Sequence, residues 1–294
     1  MDKIKQLLED FKVATSIPSI KLNVSKKANI AITDSKLGGN PYLPKDYVYP
    51  STSEGVPLKL LAQLNFSQLP QLENFPKEGI IQFYVLPDGV VGLGEEDRFL
   101  QQESYKIIYH KEVLPASLQM HDFPQIRLID NGYGTWFPFE GEFYLSGSLD
   151  KCHMTTSTYE FEQALTDFSK ERGMESLLAP FFCTRADAQK NMSNAEFEEF
   201  DRKRQLLINL VYDTMGNDEA HRISGYPAFT QEDPRGYNVS LQSLDVLLFQ
   251  LASEYVAGDY EIMWGDMGVA NFLINSDKLK NCDFSEVLYT WGCG

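Results

Sequence analysis

The chain of 294 residues contains few cysteines. Only Cys152, Cys183, Cys282 and Cys293 occur, and no two of them form a CxxC pair. Small proteins that depend on disulfides carry many closely spaced cysteines, whereas a chain of this length buries enough surface to fold without them. We therefore expect reduced thiols and a cytoplasmic location.

Long apolar runs are absent as well. Residues 1–11 carry charges through the stretch where a secretory signal needs an apolar core. No window reaches the run of about 18 apolar residues that marks a membrane helix. We expect a protein with no membrane-spanning segment.

Positive charge is scarce. The sequence has 26 Lys and Arg against 42 Asp and Glu, a formal net charge of −16. Contacts to phosphate need clustered basic side chains, so this balance argues against nucleic-acid binding. It favours a basic protein partner, although acidity also serves simply to keep a protein soluble.

The common catalytic motifs are missing. There is no GxxxxGK[ST] phosphate loop, no GxSxG nucleophile elbow and no HExxH metal helix. Gly92-Leu93-Gly94 begins like a dinucleotide fingerprint, but Asp97 stands where the third glycine belongs. The four histidines are too few and too scattered to predict a metal site. We predict no cofactor and no metal, and a function that is more plausibly binding than catalysis.

What the sequence does contain is the same pattern twice. Three blocks recur in the same order at similar distances, and each includes a glycine-containing loop, an apolar strand with one glutamine, and a second apolar strand. The first copy comprises Leu37–Tyr42, Leu60–Leu64 and Gly79–Val85, and the second comprises Ser224–Phe229, Leu247–Leu251 and Gly268–Ile274. Two related halves, at about residues 30–95 and 218–275, are the economical interpretation.

Helical periodicity is confined to the beginning and the middle of the chain. Ile4, Leu7, Leu8 and Phe11 have the spacing of one helix face. In the middle, capping boxes at Ser157 and Ser193 and stop signals at Gly173 and Gly216 predict two helices within an insert at about 157–216.

The remaining regular segments are short, rich in β-branched and aromatic residues, and bounded by turn residues. The predicted strands are Leu60–Phe66, Gly79–Leu86, Val90–Gly94, Tyr105–His110, Gln125–Asp130, Val246–Ala252, Tyr260–Trp264 and Gly268–Ile274. We predict a single α+β domain over residues 1–294, with antiparallel sheets, an internal duplication, an N-terminal helix and two central helices.

Candidate site residues come from the repeated blocks. Residues 36–58 hold many glycines and prolines and predict an ordered loop, which is a candidate ligand-contacting surface. Gln63 and Gln250 occupy matching places in two apolar strands. A buried amide needs hydrogen-bond partners, so each glutamine either ties down the loop of its own half or contributes to a shared ligand site.

Four further polar or aromatic residues lie in the second copy. His221 and Arg222 precede the second glycine loop, and Trp264 and Asp266 precede the last block. If the loops around Gly38 and Gly225 met in a cleft between the halves, these side chains could contact a ligand there.

The blocks together resemble a known family. Gly38–Pro41, Leu61–Gln63, His221–Pro227, Leu247–Gln250, Trp264–Gly268 with Phe272, and Trp291–Cys293 are similar to the bacterial YwqG-like family, a domain family of unknown function. The resemblance spans nearly the whole chain. It implies an α+β fold with an internal duplication, and an association of some relatives with bacterial toxin-immunity systems, but no catalytic residues.

Two functions remain open at this point. The first is a non-enzymatic interaction protein, such as an immunity or accessory factor, that binds a partner through an acidic and aromatic-rich face. The second is a small-molecule-binding protein or enzyme with a cleft between the halves.

Overall fold

The computed structural model of the chain describes residues 1–94 and 99–294. Its strands fall into one large sheet and one small hairpin sheet. In chain order they are β1 (Ile17–Ser25), β2 (Lys36–Gly38), β3 (Lys59–Asn65), β4 (Ile80–Val85), β5 (Tyr105–His110), β6 (Glu142–Cys152), β7 (Arg222–Ile223), β8 (Val246–Ala252), β9 (Glu254–Val256), β10 (Tyr260–Ile262), β11 (Val269–Ile274) and β12 (Val287–Gly292).

The helices lie at the beginning, in the middle and near the end of the chain. They are α1 (Asp2–Thr15), α2 (Phe161–Glu171), α3 (Glu175–Phe182), α4 (Arg185–Asn191), α5 (Asn194–Met215), α6 (Pro234–Tyr237) and α7 (Ser276–Lys280). Within the described part of the chain, no helix is both long enough and apolar enough to cross a membrane.

Ten strands form the large sheet in the order β12-β11-β8-β7-β1-β6-β2-β3-β4-β5. Each pair of neighbours in this sheet is antiparallel. The predicted α+β class with antiparallel sheets is therefore confirmed.

The strand order repeats about the centre of this sheet. On one side β2, β3, β4 and β5 follow one another, and on the other side β7, β8, β11 and β12 do so in the same order. At the centre, β6 borders β2 and β1 borders β7. The N-terminal strand β1 therefore has the position in the second half that β6 has in the first. Asn23 of β1 faces Ser146 of β6, and the pairings on either side are related by a local twofold rotation.

Irregularities of the two halves repeat too. One extra residue interrupts the pairing of β3 with β4 at Leu61, and one interrupts the pairing of β8 with β11 at Leu248. A β-bulge of this kind increases the local twist of a sheet. Because both halves bulge at the same place, both curve in the same way.

The curled sheet brings its two edge strands together. The ring centroids of Tyr105 in β5 and Tyr289 in β12 lie 5.3 Å apart, and the Tyr105 hydroxyl lies 2.6 Å from the Val287 carbonyl oxygen. Inside the curl, Phe83 packs against Phe249 and Phe272, with centroids 4.8 and 4.7 Å away. Aromatic side chains from both halves thus fill one shared core.

A second core lies among the helices. The predicted stripe of α1 is buried, and it packs on α2 and α5 rather than inside the sheet. The central segment holds four helices instead of the predicted two. The capping box at Ser193 and Glu196 forms as predicted, but α2 begins at Phe161 without a side-chain cap.

Several strand predictions were wrong. Val90–Gly94 forms a turn, in which Val91 has a φ of +52° and the Asp88 carboxylate accepts a hydrogen bond from the Gly92 N–H. Gln125–Asp130 lies outside the strands. The central strands β1 and β6 were not predicted, because one face of their ribbon is polar and exposed and their sequences lack a continuous apolar run.

Candidate functional site

Gln63 is a fixed part of the first half. Its Oε1 accepts a hydrogen bond from the Tyr42 N–H at 2.8 Å. Its Nε2 donates to the carbonyl oxygens of Ile32 and Asp34 at 2.8 and 2.9 Å. The buried amide therefore holds the chain before β2 and after it against β3.

Gln250 makes the corresponding bonds in the second half. Its Oε1 accepts from the Ala228 N–H at 2.7 Å. Its Nε2 donates to the carbonyl oxygens of Asp218 and Ala220 at 3.2 and 2.7 Å. Both glutamines are fully buried, and each amide already binds the loop of its own half. This geometry fits the structural alternative for both residues.

His221 lies next to β7 with a fixed ring. Its Nδ1 accepts a hydrogen bond from the Ala252 N–H at 3.1 Å, so a neutral ring carries its proton on Nε2. Nε2 lies 3.2 Å from Oε2 of Glu254. The ring can therefore donate to a carboxylate at the surface while its other nitrogen supports the sheet.

Arg222 is a buried cation, with 1% of its surface exposed. Its guanidinium forms an ion pair with Asp218, and its Nε and Nη1 have no hydrogen-bond acceptor among the described residues. Lys36 has the matching position in the first half, where its Nζ lies 2.8 Å from Oε1 of Glu142. Each half thus buries one cation beside its glutamine, since Lys36 faces Gln63 and Arg222 faces Gln250.

A thiol lies beside Arg222. Burial raises the pKa of Cys152, although the positive charge of Arg222 acts in the opposite direction. A Cβ atom on Gly225 would lie 2.7 Å from Cβ and 3.0 Å from Sγ of Cys152. The thiol is enclosed, so we assign it to packing.

Trp264 and Asp266 lie elsewhere. Trp264 is fully buried, and its ring is 5.6 Å from that of Trp291, which in turn lies 5.5 Å from that of Trp136. The three tryptophans of the chain therefore form one row. Asp266 is exposed, and its backbone carbonyl accepts a hydrogen bond from the Gly294 N–H.

The six predicted residues do not form one site. His221, Arg222 and Gln250 are neighbours, and Gln63 lies in the other half. The Trp264 N–H donates to Oγ of Ser253, the residue after Ala252, whereas the Asp266 carbonyl binds Gly294. The glycine loops do not meet either. Gly38 faces Glu142 at one end of β6, while Gly225 packs on Cys152 at the other end. Ten residues of strand separate these ends by about 33 Å.

The long loops after β2 and β7 are similar in length, and one hydrogen bond to the end of the loop recurs in both. The Tyr49 hydroxyl donates to the Leu58 carbonyl oxygen at 3.0 Å, and Nη1 of Arg235 donates to the Leu244 carbonyl oxygen at 3.2 Å. Each loop covers the outer face of its half of the sheet.

The loop of the first half leaves an open groove. We call it the β5 groove; its volume is about 800 Å³. Its walls are residues 46–55, with Gln102, and its floor is Lys106, Ile107 and Ile108 of β5. Val48, at the rim, is 84% exposed. Burial raises the pKa of Tyr49, in the wall, to about 12.

The corresponding space in the second half is largely filled. This β12 groove, between residues 229–237 and 290–292, has a volume of about 180 Å³. Phe99, which comes from the connection between β4 and β5, is buried there against Leu241, Leu244 and Leu288. The first half therefore supplies an aromatic side chain to this groove of the second half, and Phe284 of the second half packs on Tyr109 of β5.

A shallower polar depression surrounds His221. It has a volume of about 290 Å³ and includes Lys21, Glu219 and Glu254. Tyr144 faces Lys36 in the first half and Lys21 faces Arg222 in the second, so Tyr144 matches Lys21. Ser35 and His221 directly precede Lys36 and Arg222, so they match each other as well. His221 and Lys21 thus stand where the first half has Ser35 and Tyr144.

No metal site is apparent in residues 1–94 and 99–294, where no three His, Cys, Asp or Glu side chains are placed to hold an ion. The sequence had indicated the loop 36–58 as a possible contact surface, which includes one wall of the β5 groove. It did not indicate Lys106, because only the pairing of β4 with β5 brings this residue beneath the loop.

One comparison with known proteins is informative. A family model described as a domain of unknown function, DUF1963, matches residues 35–293. The matched range omits α1 and nearly all residues before β2. No curated protein matches the chain.

Proposed function

Because the chain belongs to the DUF1963 family, whose function is unknown, we propose its function from its surface: it is a protein-interaction module. The observation that carries this proposal is that residues 43–48, beside the β5 groove, are joined to residues 113–120 by backbone hydrogen bonds. The Lys45 N–H donates to the Leu118 carbonyl oxygen, and the Met120 N–H donates to the Leu43 carbonyl oxygen, each at 2.8 Å.

These two segments expose four large apolar side chains, although the chain is acidic. They are Tyr47, Val48, Val113 and Leu118. Single exposed apolar residues are ordinary, but a group of them beside an open groove is typical of interaction surfaces. Aromatic side chains such as Tyr47 are also enriched at interfaces.

The charge of the chain adds a long-range preference. A net charge of −16 speeds association with a basic partner and slows association with an acidic one. An immunity or accessory factor in a bacterial toxin system is one role of this class, and the YwqG-like sequence blocks support it. The four unpaired cysteines support a reducing compartment, the cytoplasm.

The test is a photo-reactive amino acid placed at Val48 in cells that express the chain. We expect one discrete cross-linked protein at Val48 and none at Val13, which is comparably exposed on α1. The purified partner should bind the chain at a one-to-one ratio, and Val48→Asp should weaken binding at least tenfold while Val13→Asp should not. Unchanged affinity in Val48→Asp would overturn the proposal.

A second candidate is small-molecule binding at the depression around His221. The observation in its favour is that His221 and Lys21 replace the Ser35 and Tyr144 of the other half. A metabolite that binds only the folded chain raises its melting temperature by mass action. We expect such a rise to be lost in His221→Ser if this candidate is correct, and no rise with any metabolite if it is not.

A further inference from the structure

We propose that the β12 groove binds a small heteroaromatic ring whose N–H donates a hydrogen bond to Oδ1 of Asn271. This inference is independent of the proposed interaction surface, because the β12 groove lies in the other half of the sheet. It rests on one buried acceptor that has no donor among the described residues. It also rests on the first half, where side chains of the chain itself satisfy the equivalent acceptor.

Asn271 is fully buried in β11, yet only one end of its amide is bound. Its Nδ2 donates to the Ala228 carbonyl oxygen at 2.7 Å. Its Oδ1, at the other end of the amide, has no hydrogen-bond partner within residues 1–94 and 99–294. A buried acceptor in this state costs free energy, and a ligand that donates to it regains that free energy on binding.

The equivalent residue of the first half is Gln82, because each of the two amides faces the buried glutamine of the neighbouring strand, β3 or β8. The Tyr84 hydroxyl donates to Oε1 of Gln82 at 3.0 Å. Nε2 of His110 lies 3.2 Å from the same oxygen. Because a carboxamide oxygen can only accept, this nitrogen of His110 carries the proton. An imidazole N–H and a phenol O–H thus satisfy the acceptor of the first half.

Both donors are missing from the second half. Gly292 has the register position in β12 that His110 has in β5. Leu273 has the position in β11 that Tyr84 has in β4. Neither glycine nor leucine has a side-chain donor, so these two positions leave the acceptor of the second half without a partner.

The second half also has smaller side chains around this acceptor. In the first half, Tyr42 packs edge-on against His110, with ring centroids 5.3 Å apart. Ala228 has the place of Tyr42, because the N–H of each binds the buried glutamine of its own half. Two rings of the first half therefore correspond to an alanine and a glycine in the second, and the difference leaves space for a ring from outside.

That space is the open part of the β12 groove. Phe99 fills one end of the groove, and the remaining volume of about 180 Å³ is lined by Val269, Thr290 and Gly292, among others. These three residues share the outer face of the sheet with Asn271, because side chains alternate along each strand. At about 30 Å³ for each water, the volume equals about six waters, whereas one water would satisfy one acceptor.

The lining suits a flat ring with polar atoms. Phe229 and Trp291 contribute to it, and aromatic surfaces pack well on a planar ring. The Thr230 hydroxyl, also in the lining, is buried and has no partner in the described part of the chain, so it can bind a second nitrogen of the ring. Glu232 contributes a carboxylate, but it is exposed, and solvent screens its charge. The hydrogen bond to Asn271 therefore determines which ring binds.

Indazole and benzisoxazole test the proposal. The two compounds have nearly the same shape, but benzisoxazole has an oxygen in place of the N–H of indazole. Each is titrated into the deuterated, ¹⁵N-labelled full chain, and the backbone amides and the side-chain amide of Asn271 are followed. Ligands of this size bind with dissociation constants on the order of 1 mM.

We expect indazole to shift the amides of residues 229–232 and 290–292 together with the side-chain amide of Asn271. Benzisoxazole should bind about tenfold more weakly, because Oδ1 of Asn271 then meets no donor. This comparison uses the unaltered chain, so it does not depend on whether a variant folds.

Gly292→His supplies an imidazole from the chain itself, as His110 does in the first half. Gly292 does not have a positive φ, and an added Cβ would lie 3.3 Å from Oε1 of Gln231, whose exposed side chain can move. We expect this variant to bind indazole at least tenfold more weakly than the unaltered chain. Val239→His is the control, since Val239 is 77% exposed and lies outside the lining of the groove.

Equal binding of the two compounds would overturn the proposal, as would undiminished binding of indazole to Gly292→His. Absence of shifts from both compounds would show that water alone fills the groove, and it would overturn the proposal as well. Shifts confined to the depression around His221 would do the same and would support the second candidate function. None of these outcomes affects the cross-link at Val48, so the proposed interaction module would stand or fail separately.

Discussion

The Ser35 hydroxyl and the His221 ring accept the same backbone hydrogen bond in the two halves of the sheet. The Asn65 N–H donates to Oγ of Ser35 at 2.9 Å, and the Ala252 N–H donates to Nδ1 of His221 at 3.1 Å. The fold needs one acceptor at this position and obtains it from two different side chains. The rest of the imidazole is therefore not required by the sheet.

The first prediction concerns this acceptor. His221→Ser keeps an acceptor near the Ala252 N–H, whereas His221→Ala leaves that buried N–H unsatisfied. We expect His221→Ala to lower the free energy of unfolding by about 1–2 kcal/mol more than His221→Ser does. Urea denaturation of both variants measures the difference. Equal stability of the two would show that the hydrogen bond contributes nothing.

The second prediction concerns the paired glutamines. Gln63→Leu and Gln250→Leu each leave one buried N–H and two buried or half-buried carbonyl groups without their partner. We expect each substitution to lower the free energy of unfolding by about 3 kcal/mol or more. Gln71→Leu, at an exposed position, is the control and should change it by about 0.5 kcal/mol at most. If Gln63→Leu were as stable as the unaltered chain, a binding role for this amide would regain support.

The third prediction compares two equivalent backbone positions. Gly38 and Ser224 both have a φ of +62°. A Cβ atom at residue 38 would lie 2.5 Å from the Gly141 carbonyl oxygen, so Gly38→Ala should cost about 3 kcal/mol. Ser224→Gly relieves backbone strain but loses the bond from the Ser224 hydroxyl to the Pro18 carbonyl oxygen. It should stay within about 1 kcal/mol of the unaltered chain in thermal unfolding.

The fourth prediction concerns pH. Burial lowers the pKa of His110 to about 4 from an ordinary value of 6.5. The unfolded chain therefore binds a proton at this residue between about pH 6.5 and pH 4, while the folded chain does not. The contribution of this residue to the free energy of unfolding is fully present above about pH 6.5. It is lost, by up to about 3 kcal/mol, as the pH falls to about 4.

His110→Gln isolates this contribution, because glutamine does not titrate and can still donate toward Oε1 of Gln82, which lies 3.2 Å from Nε2 of His110. The difference in unfolding free energy between the two proteins should change between pH 7 and pH 4 with the sign given above. A difference independent of pH would contradict a buried neutral ring.

Particular residues show which parts of the structure could be predicted from the sequence. The stripe from Ile4 to Phe11 predicted α1 because a helix face is set by spacing alone. The segment Tyr105–His110 was predicted with its observed limits because β-branched and aromatic residues are concentrated there. Val90–Gly94 also begins with β-branched residues, yet it forms a turn held by long-range contacts: Trp291 Nε1 donates to the Val90 carbonyl oxygen, and the Tyr289 hydroxyl donates to that of Val91.

The candidate contact surface, too, could be predicted from the sequence only in part. The glycine- and proline-rich loop 36–58 could be recognised as a contact surface, because backbone breakers are a local signal. Lys106 could not, since only the pairing of β4 with β5 places it beneath this loop. Likewise the candidate residues Gln63 and Gln250 share a motif, but each binds the loop of a different half.

The sequence by itself determined the mixed α+β class and the recurrence of its blocks, because composition, periodicity and spacing are properties of the chain. Only the tertiary structure decided that β1 completes the second half as β6 completes the first, that Phe99 fills one groove, and that the other stays open. These facts depend on hydrogen bonds and packing between residues about 200 positions apart, and local sequence carries no record of such contacts.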